Sequence, residues 1–528
     1  MSDNELAQIK FPEIVFGIAG AVGIDTSQVT DVLSDALSSV GYKAQRIKIT
    51  SEMYKSTGDS PPEPSLDYFK TIDAKIGYAN EQRSKRGDPA LMAQIGIRAI
   101  RRERLKLALE KNPHDVEDFN IPERAAYIIN QLKRPEEVAL LRKVYGRQFV
   151  LVSAYGSFSD RRSLIIRRIK SSGHAQLPEH EVNALAESLI STDAEESHPF
   201  GQRLRETFHL ADVFVDGIQR ADTEFHTERF IDAFFGRTDL SPSKEEYGMY
   251  AAKSASLRSS DLSRQVGAAI FSPDGEIITQ GCNEVPKALG GTYWDLEEPD
   301  FRDVMLGSDP NENLRNDIIK DLFEKLRSGG YLSKKAKALG SASSIANSLT
   351  AKSKIVDGKE VLGGVLADAL IMDLTEYGRV VHAEMCAICD AARLGRSVKG
   401  ATLYCTTFPC HNCTKHILAV GLKRVVYMEP YPKSRAKELH ENEISIETEA
   451  PDKVTFMPFL GISPFRYRDI FQKGKRKGAG GVAKRWLFGE PRPMVEVVAP
   501  THIELEAMAL VSLIGVIKPK QDVTEARA

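Results

Sequence analysis

Two short motifs constrain this chain more than any other feature: His382-Ala383-Glu384, then Pro409-Cys410-His411-Asn412-Cys413. They supply one imidazole, one carboxylate and two thiols at fixed spacing. A histidine nitrogen and two thiolates give a tetrahedral Zn²⁺ three ligands and leave one position open for water, as a catalytic rather than a structural site requires. A metal held this way lowers the pKa of its water to roughly 7. Glu384 is too near the histidine in the chain to be a good fourth ligand, but it is well placed to move that water's proton.

Other readings compete. Cys386-Ala387-Ile388-Cys389 is a second C-x-x-C pair directly after Glu384, so a redox pair or a Cys₄ site is open. Against the Cys₄ site, residues 382–395 read as one helix stopped by Gly395. On it Cys386 and Cys389 fall among alanines and an isoleucine, like small core residues. His411 and His416 are either partners of the ligands or plain solvated side chains. Together, H-x-E and P-C-x-x-C are the parts of hydrolytic deamination, in which the carboxylate hands a proton to the ring nitrogen and the departing amine.

Composition narrows the setting. A chain of 528 residues, 42% hydrophobic and 27% charged, has the usage of about two to four globular domains. Its six cysteines form no disulfide framework, which fits a reducing cytoplasm. The polar stretch Met1 to Phe11 lacks the apolar core of a signal peptide. No apolar run approaches the ~20 residues that span a bilayer, so neither export nor a membrane span is expected. A net charge of -2 gives no global attraction to nucleic acid. The local exception is a glycine-punctuated run with Lys473, Lys475, Arg476, Lys477, Lys484 and Arg485, which either wraps the phosphates of a nucleotide or RNA or is a solvated loop.

The N-terminal half alternates strands and helices. Residues 13–20 form an apolar strand that enters a glycine-rich turn and a helix, a unit that presents backbone N–H groups to phosphate. A P-loop-like parallel α/β domain is expected over residues 1–240, with Gly17, Gly20, Gly23, Thr26 and Ser27 as candidate nucleotide-binding residues. Ile24 stands where a Walker A motif demands lysine, which argues against intact nucleotide hydrolysis. The plain alternative is a tight turn that only packs helix on sheet. Residues 96–109 read as a basic amphipathic helix, and residues 161–170 as a cationic helix that is a phosphate lid or a solvated face. Strands follow at 148–154 and 211–216, and the Pro-containing stretch 236–244 marks a boundary.

From Tyr247 the order is helix, hairpin, zinc helix, strand 402–406, zinc loop, helix and strand 424–428, an α/β/α three-layer sandwich. With its motifs, the block 247–432 resembles the cytidine and deoxycytidylate deaminase superfamily. That resemblance implies zinc held by His382, Cys410 and Cys413 and proton transfer by Glu384. It also implies contact of Asn283 with the deoxyribose and of Arg258 with the phosphate side; the bland readings are a turn-capping asparagine and a surface arginine. The domain is set at 245–470. Too many residues separate Asn283 from His382 for a compact member, so about 290–378 form an insertion that serves as lid, oligomer contact or effector site. Residues 471–528 are set apart as a C-terminal extension.

Taken whole, a P-loop-like domain ahead of such a deaminase domain is similar to the bacterial anti-phage dCTP deaminases. This implies conversion of dCTP to dUTP and of dCMP to dUMP, draining the dCTP pool as antiviral defence. It further implies a second nucleotide at the N-terminal domain, a homo-oligomer, and activity held off until infection, in some members by a small RNA. A housekeeping dCMP deaminase of pyrimidine salvage would share the zinc site without needing the N-terminal half. A nucleic-acid cytidine editor would need stacking aromatics and a basic channel, yet only Phe408 and Tyr404 flank the zinc loop.

Overall fold

The computed structural model describes residues 9–511 and 513, apart from 61–66, 112–120, 174–175, 197, 353, 357–358, 362, 432, 485, 487–489 and 512. The chain forms two compact units, residues 1–246 with 460–528 and residues 247–459.

In the first unit, unbroken apolar runs become strands buried on both faces, as a parallel sheet requires. Its strands are β1 (Ile14–Gly20), β2 (Lys43–Lys48), β3 (Ala125–Asn130), β4 (Phe149–Tyr155) and β5 (Val213–Asp216), parallel in the order β2-β3-β1-β4-β5. Every residue of β1 is buried. From β1 the chain crosses β3 to reach β2, whereas from β3 it crosses β1 to reach β4. This reversal opens a crevice beyond the carboxyl ends of the strands. Gly17 and Gly20 lie within β1. A Cβ on Gly17 would stand 2.5 Å from Leu132 Cδ1, and one on Gly20 2.7 Å from Thr26 Cγ2, so both glycines serve close packing.

The end of the chain falls elsewhere than its composition suggests. Residues 460–470, expected to finish the second domain, and the expected extension 471–528 belong to the first unit. A two-residue strand, Gly461–Ile462, pairs antiparallel with β5. Met494 N–H donates to Phe234 O at 2.7 Å, and Ile462, Ile470, Val495 and Val497 join the core around β1. A strand of two residues has no periodicity to read, which is why the junction is invisible in sequence.

The C-terminal helix His502–Ala509 is fastened by charge. Arg104 bonds the Glu506 carboxylate through both terminal nitrogens at 2.7 Å and the Glu13 carboxylate through Nε at 3.0 Å. Tyr127 and Tyr145 donate to Glu13 and Glu506 at 2.8 Å, and His502 Nε2 lies 3.1 Å from Glu13. All six side chains are buried. Burial alone would raise the Glu13 carboxyl, yet His502 and Arg104 hold it below the usual glutamate range.

The second unit holds β6 (Gly267–Phe271), β7 (Ile277–Cys282), a hairpin of β8 (Lys354–Val356) and β9 (Lys359–Val361), then β10 (Thr402–Thr407), β11 (Arg424–Glu429), β12 (Ile444–Ile446) and β13 (Val454–Pro458). The main sheet runs β12-β13-β11-β10-β6-β7, with β6 antiparallel to β10 and the other pairs beyond β10 parallel. Gly267 pairs with Cys282 and Ala268 with Gly281, so Gly267 and Gly281 face opposite sides. A Cβ on Gly267 would strike Ala252 and Ser256, and one on Gly281 would strike Ala383 and Ala387. Glycine thus lets one helix close on each face, and three layers result. Between Asn283 and His382, the helices Pro310–Ser328 and Ala342–Thr350 pack around Ile319, Phe323 and Ile345, a core of their own. Among the described residues, no helix is long and apolar enough to cross a membrane.

Candidate active site

Both motifs sit at helix starts. His382 is the N-cap of the helix Ala383–Arg393, and Cys410 is the N-cap of the helix His411–Ala419. Cys410 Sγ accepts from the Cys413 N–H at 3.4 Å. Helix N-termini carry partial positive charge, which favours thiolates. Thr279 Oγ1 donates to Ala387 O at 2.9 Å and fixes the first helix on β7.

His382 Nδ1 lies 3.3 Å from Cys410 Sγ and 3.4 Å from Cys413 Sγ, and the three ligand atoms all fall within 4.8 Å of one another. Zinc bonds of about 2.3 Å to sulfur and 2.0 Å to nitrogen at tetrahedral angles separate donors by about 3.5 Å, so this set fits the ion. Hydrogen bonds from Cys413 and His382 bring the Cys410 thiol down to about 4. The bond to Cys410 pushes His382 up to about 9, and the same neighbour together with burial drives Cys413 well up. The second C-x-x-C pair stays outside this cluster: Cys386 is buried core, its thiol pushed to about 11 by burial, and Cys389 is exposed.

Glu384 is buried, with Oε2 3.6 Å from Cys413 Sγ, and burial raises its carboxyl above the usual range. His382, Glu384 and Cys410 line the floor of a cavity of about 400 Å³, within the range of small-molecule sites. Asn283 also lines it, but its amide is engaged: Oδ1 accepts from Val266 N–H at 2.7 Å and Nδ2 donates to Arg264 O at 2.8 Å. Arg258 does not line the cavity. Its guanidinium lies 3.7 Å over the Trp294 ring and donates to Thr292 and Tyr293, fastening the start of the insertion. Tyr404 is buried against Gly248 and Phe271, while Phe408 does reach the cavity.

The cationic wall was missed by sequence reasoning. Arg264 pairs with Glu429, Arg379 with Asp303 and Lys433 with Asp373, all at 2.9 Å or less. Arg315, on the insertion helix, donates to Met372 O at 2.9 Å and lies 3.8 Å from the Glu312 carboxylate, while its buried Nε has no partner among the described residues. Lys352 lines the same cavity and is exposed. Nothing local marks either residue, since the insertion brings them to the site only through its own folding.

Of the N-terminal candidates, Gly23 takes φ +101° in the turn after β1. Thr26 and Ser27 open the helix Thr26–Ser39, which Asp25 caps. These three line a separate cavity in the first unit. In the basic run, Lys473 Nζ donates to Arg237 O and Leu240 O; Arg485 lies outside the described residues.

Residues 242–429 match the family of the cytidine and deoxycytidylate deaminase zinc-binding region. The chain is 49% identical over 55 residues to the deoxycytidylate deaminase of Enterobacteria phage T2, covering 10% of this chain and 29% of that protein. It is 41% identical over 54 residues to the Homo sapiens deoxycytidylate deaminase, again 10% and 29%. It therefore spans under a third of the length of these relatives. The crystal structure of dCMP deaminase from cyanophage S-TIM5 with dCMP and dUMP is 17% identical, covering 42% of this chain and 98% of that chain, with a TM-score of 0.22. The matched region and the donor cluster agree on the class: this part of the chain carries the zinc-binding region of cytidine and deoxycytidylate deaminases, and zinc is its cofactor.

Proposed function

We propose that the second unit catalyses hydrolytic deamination of deoxycytidine nucleotides, dCTP to dUTP and dCMP to dUMP, releasing ammonia and draining the dCTP pool in defence against phage. The observation that carries this reading is the buried Glu384 carboxylate beside the His382, Cys410 and Cys413 donors on a cavity floor. Zinc, when bound, supplies the Lewis acid that makes water nucleophilic at neutral pH. Glu384 takes the proton of the attacking water and delivers it to N3 of the cytosine ring, then takes the proton of the new C4 hydroxyl and passes it to the amine, so that ammonia leaves as the C4–N bond breaks and the C4 carbonyl forms. Arg315 and Lys352 hold the phosphate end, where a phosphate oxygen satisfies the Arg315 Nε–H.

Arg315→Ala should raise KM for dCMP and dCTP about tenfold, the loss of one charge-assisted hydrogen bond, with little change in kcat. Deoxycytidine, which has no phosphate, should be unaffected; steady-state kinetics with the three substrates decides. Homo-oligomerisation, restraint by a small RNA and a cytoplasmic setting belong to the same reading and rest on resemblance alone.

A second reading is dCMP deamination in pyrimidine salvage; the names of the matched relatives, deoxycytidylate deaminases, favour its reaction. Incubating zinc-loaded protein with dCTP, dCMP and cytosine-containing single-stranded DNA separates the two. Uracil product from dCTP at a rate comparable to dCMP supports the defence reading, and product from dCMP alone supports salvage. Product from the strand alone overturns both in favour of an editor.

A further inference from the structure

The cavity of the first unit, about 260 Å³, opens at the carboxyl ends of β1, β2 and β3. The turn expected to grip a phosphate is already filled by a side chain. Val22 N–H donates to Asp193 Oδ2 at 2.7 Å, and Lys133 Nζ donates to Asp193 Oδ1 at 2.6 Å and to Gly20 O at 2.7 Å. A carboxylate held there takes the position of an anion and repels another. Asp25, the other carboxylate in the lining, is spent capping the helix that follows.

The opposite wall has the reverse character. Lys48, at the end of β2, and Lys75, on the helix Tyr68–Arg86, both line the cavity. The ammonium groups of the exposed Lys48 and the half-buried Lys75 have no hydrogen bond or ion pair among the described residues. Burial and the charge of Lys48 hold Lys75 below the usual lysine range. Arg168 reaches the same space, its guanidinium 5.7 Å from the Tyr68 ring. Among the described residues, the buried atoms Arg83 Nε, Asn130 Oδ1 and Gln202 Oε1 on lining residues have no partner. Beside the lysines, Tyr68, Ile72, Ile76 and Met53 form an apolar face. Unpaired cations next to an aromatic and aliphatic wall, with free donors and acceptors, describe a ligand carrying a phosphate and a planar ring. The volume lies just under the usual range of ligand sites, roughly 300–1,000 Å³, and suits one phosphate rather than three.

We propose that this cavity binds a nucleoside monophosphate, its phosphate held by Lys48, Lys75 and Arg168 and its base against Tyr68 and Ile72, while the Asp193–Lys133 pair keeps the glycine turn closed to phosphate. The binding is independent of the deaminase reading and calls for no hydrolysis.

Isothermal titration of the full chain with AMP, GMP, UMP, dTMP, ribose 5-phosphate and inorganic phosphate tests it. At least one nucleotide should bind more tightly than ribose 5-phosphate. Lys75→Met and, separately, Lys48→Met should weaken it by about tenfold or more, with unchanged circular dichroism, while Arg315→Ala in the other unit leaves it alone. Asp193→Asn should change the affinity little. Binding that survives both lysine variants, binding that rises sharply in Asp193→Asn, ribose 5-phosphate as good as any nucleotide, or no binding at all would each overturn the proposal.

Discussion

Glu384→Ala should keep its zinc and lose turnover by about 10³-fold, within the range of a positioned proton carrier. The side chain is buried and sits 3.6 Å from a ligand sulfur, yet it stands outside the cluster of three donors. Removing it therefore leaves the metal's ligands intact and takes away only the group that moves protons. Glu384→Gln keeps the shape and should be equally inactive, which separates proton transfer from packing. Cys410→Ser is the contrast: it removes the thiolate while serine keeps the N-cap of the helix, so metal is released along with activity. Zinc content by elemental analysis beside kcat for each variant settles the assignment. Zinc lost from Glu384→Ala would make the glutamate structural, and full activity would remove it from the reaction.

Arg104→Met should destabilise the first unit by about 3–5 kcal/mol, because it strands two buried carboxylates, Glu13 and Glu506, without their cation. Native-state hydrogen exchange of β1 and β3 amides reads this loss in the unit concerned. Replacing Arg104, Glu13 and Glu506 together by apolar residues of similar size should recover much of it, since the penalty lies in the unpaired charge. The same cluster has a pH signature. The folded Glu13 pKa is held below its unfolded value, so its contribution is complete above the ordinary glutamate range. That contribution disappears as pH falls through the depressed folded value. In Arg104→Met burial acts on the stranded carboxyls without that cation, so acid protonates and relieves them, and the gap in β1 protection between the variant and the native chain should narrow as pH falls.

What the sequence discloses follows the range of the interaction that decides each feature. The candidate donors His382, Cys410 and Cys413 belong to contiguous motifs whose chemistry is local, and the helices that His382 and Cys410 cap begin where the motifs stand. β1 and β4 read as strands because burial on both faces leaves unbroken apolar runs, and β6 with β7 reads as a hairpin through its turn residues. Arg104 shows the limit. In the sequence it is one cation of a basic amphipathic helix, but its partner Glu506 is 402 residues away, so its burial has no local signal. Arg258 misleads for the opposite reason: its neighbourhood resembles a phosphate contact, while Trp294 and Thr292 of the insertion claim its guanidinium. Arg315 becomes visible only once the insertion has a core of its own.

Because the first unit is made from both ends of the chain, its assembly is tied to the order of synthesis. A ribosome must deliver all of residues 247–459 before Gly461–Ile462 can cover the edge of β5 and before Glu506 can meet Arg104. Until then the nascent sheet has an open edge and a cation in its interior matched on one side only. A chain halted at residue 459 would be an unfinished first unit rather than a shorter protein.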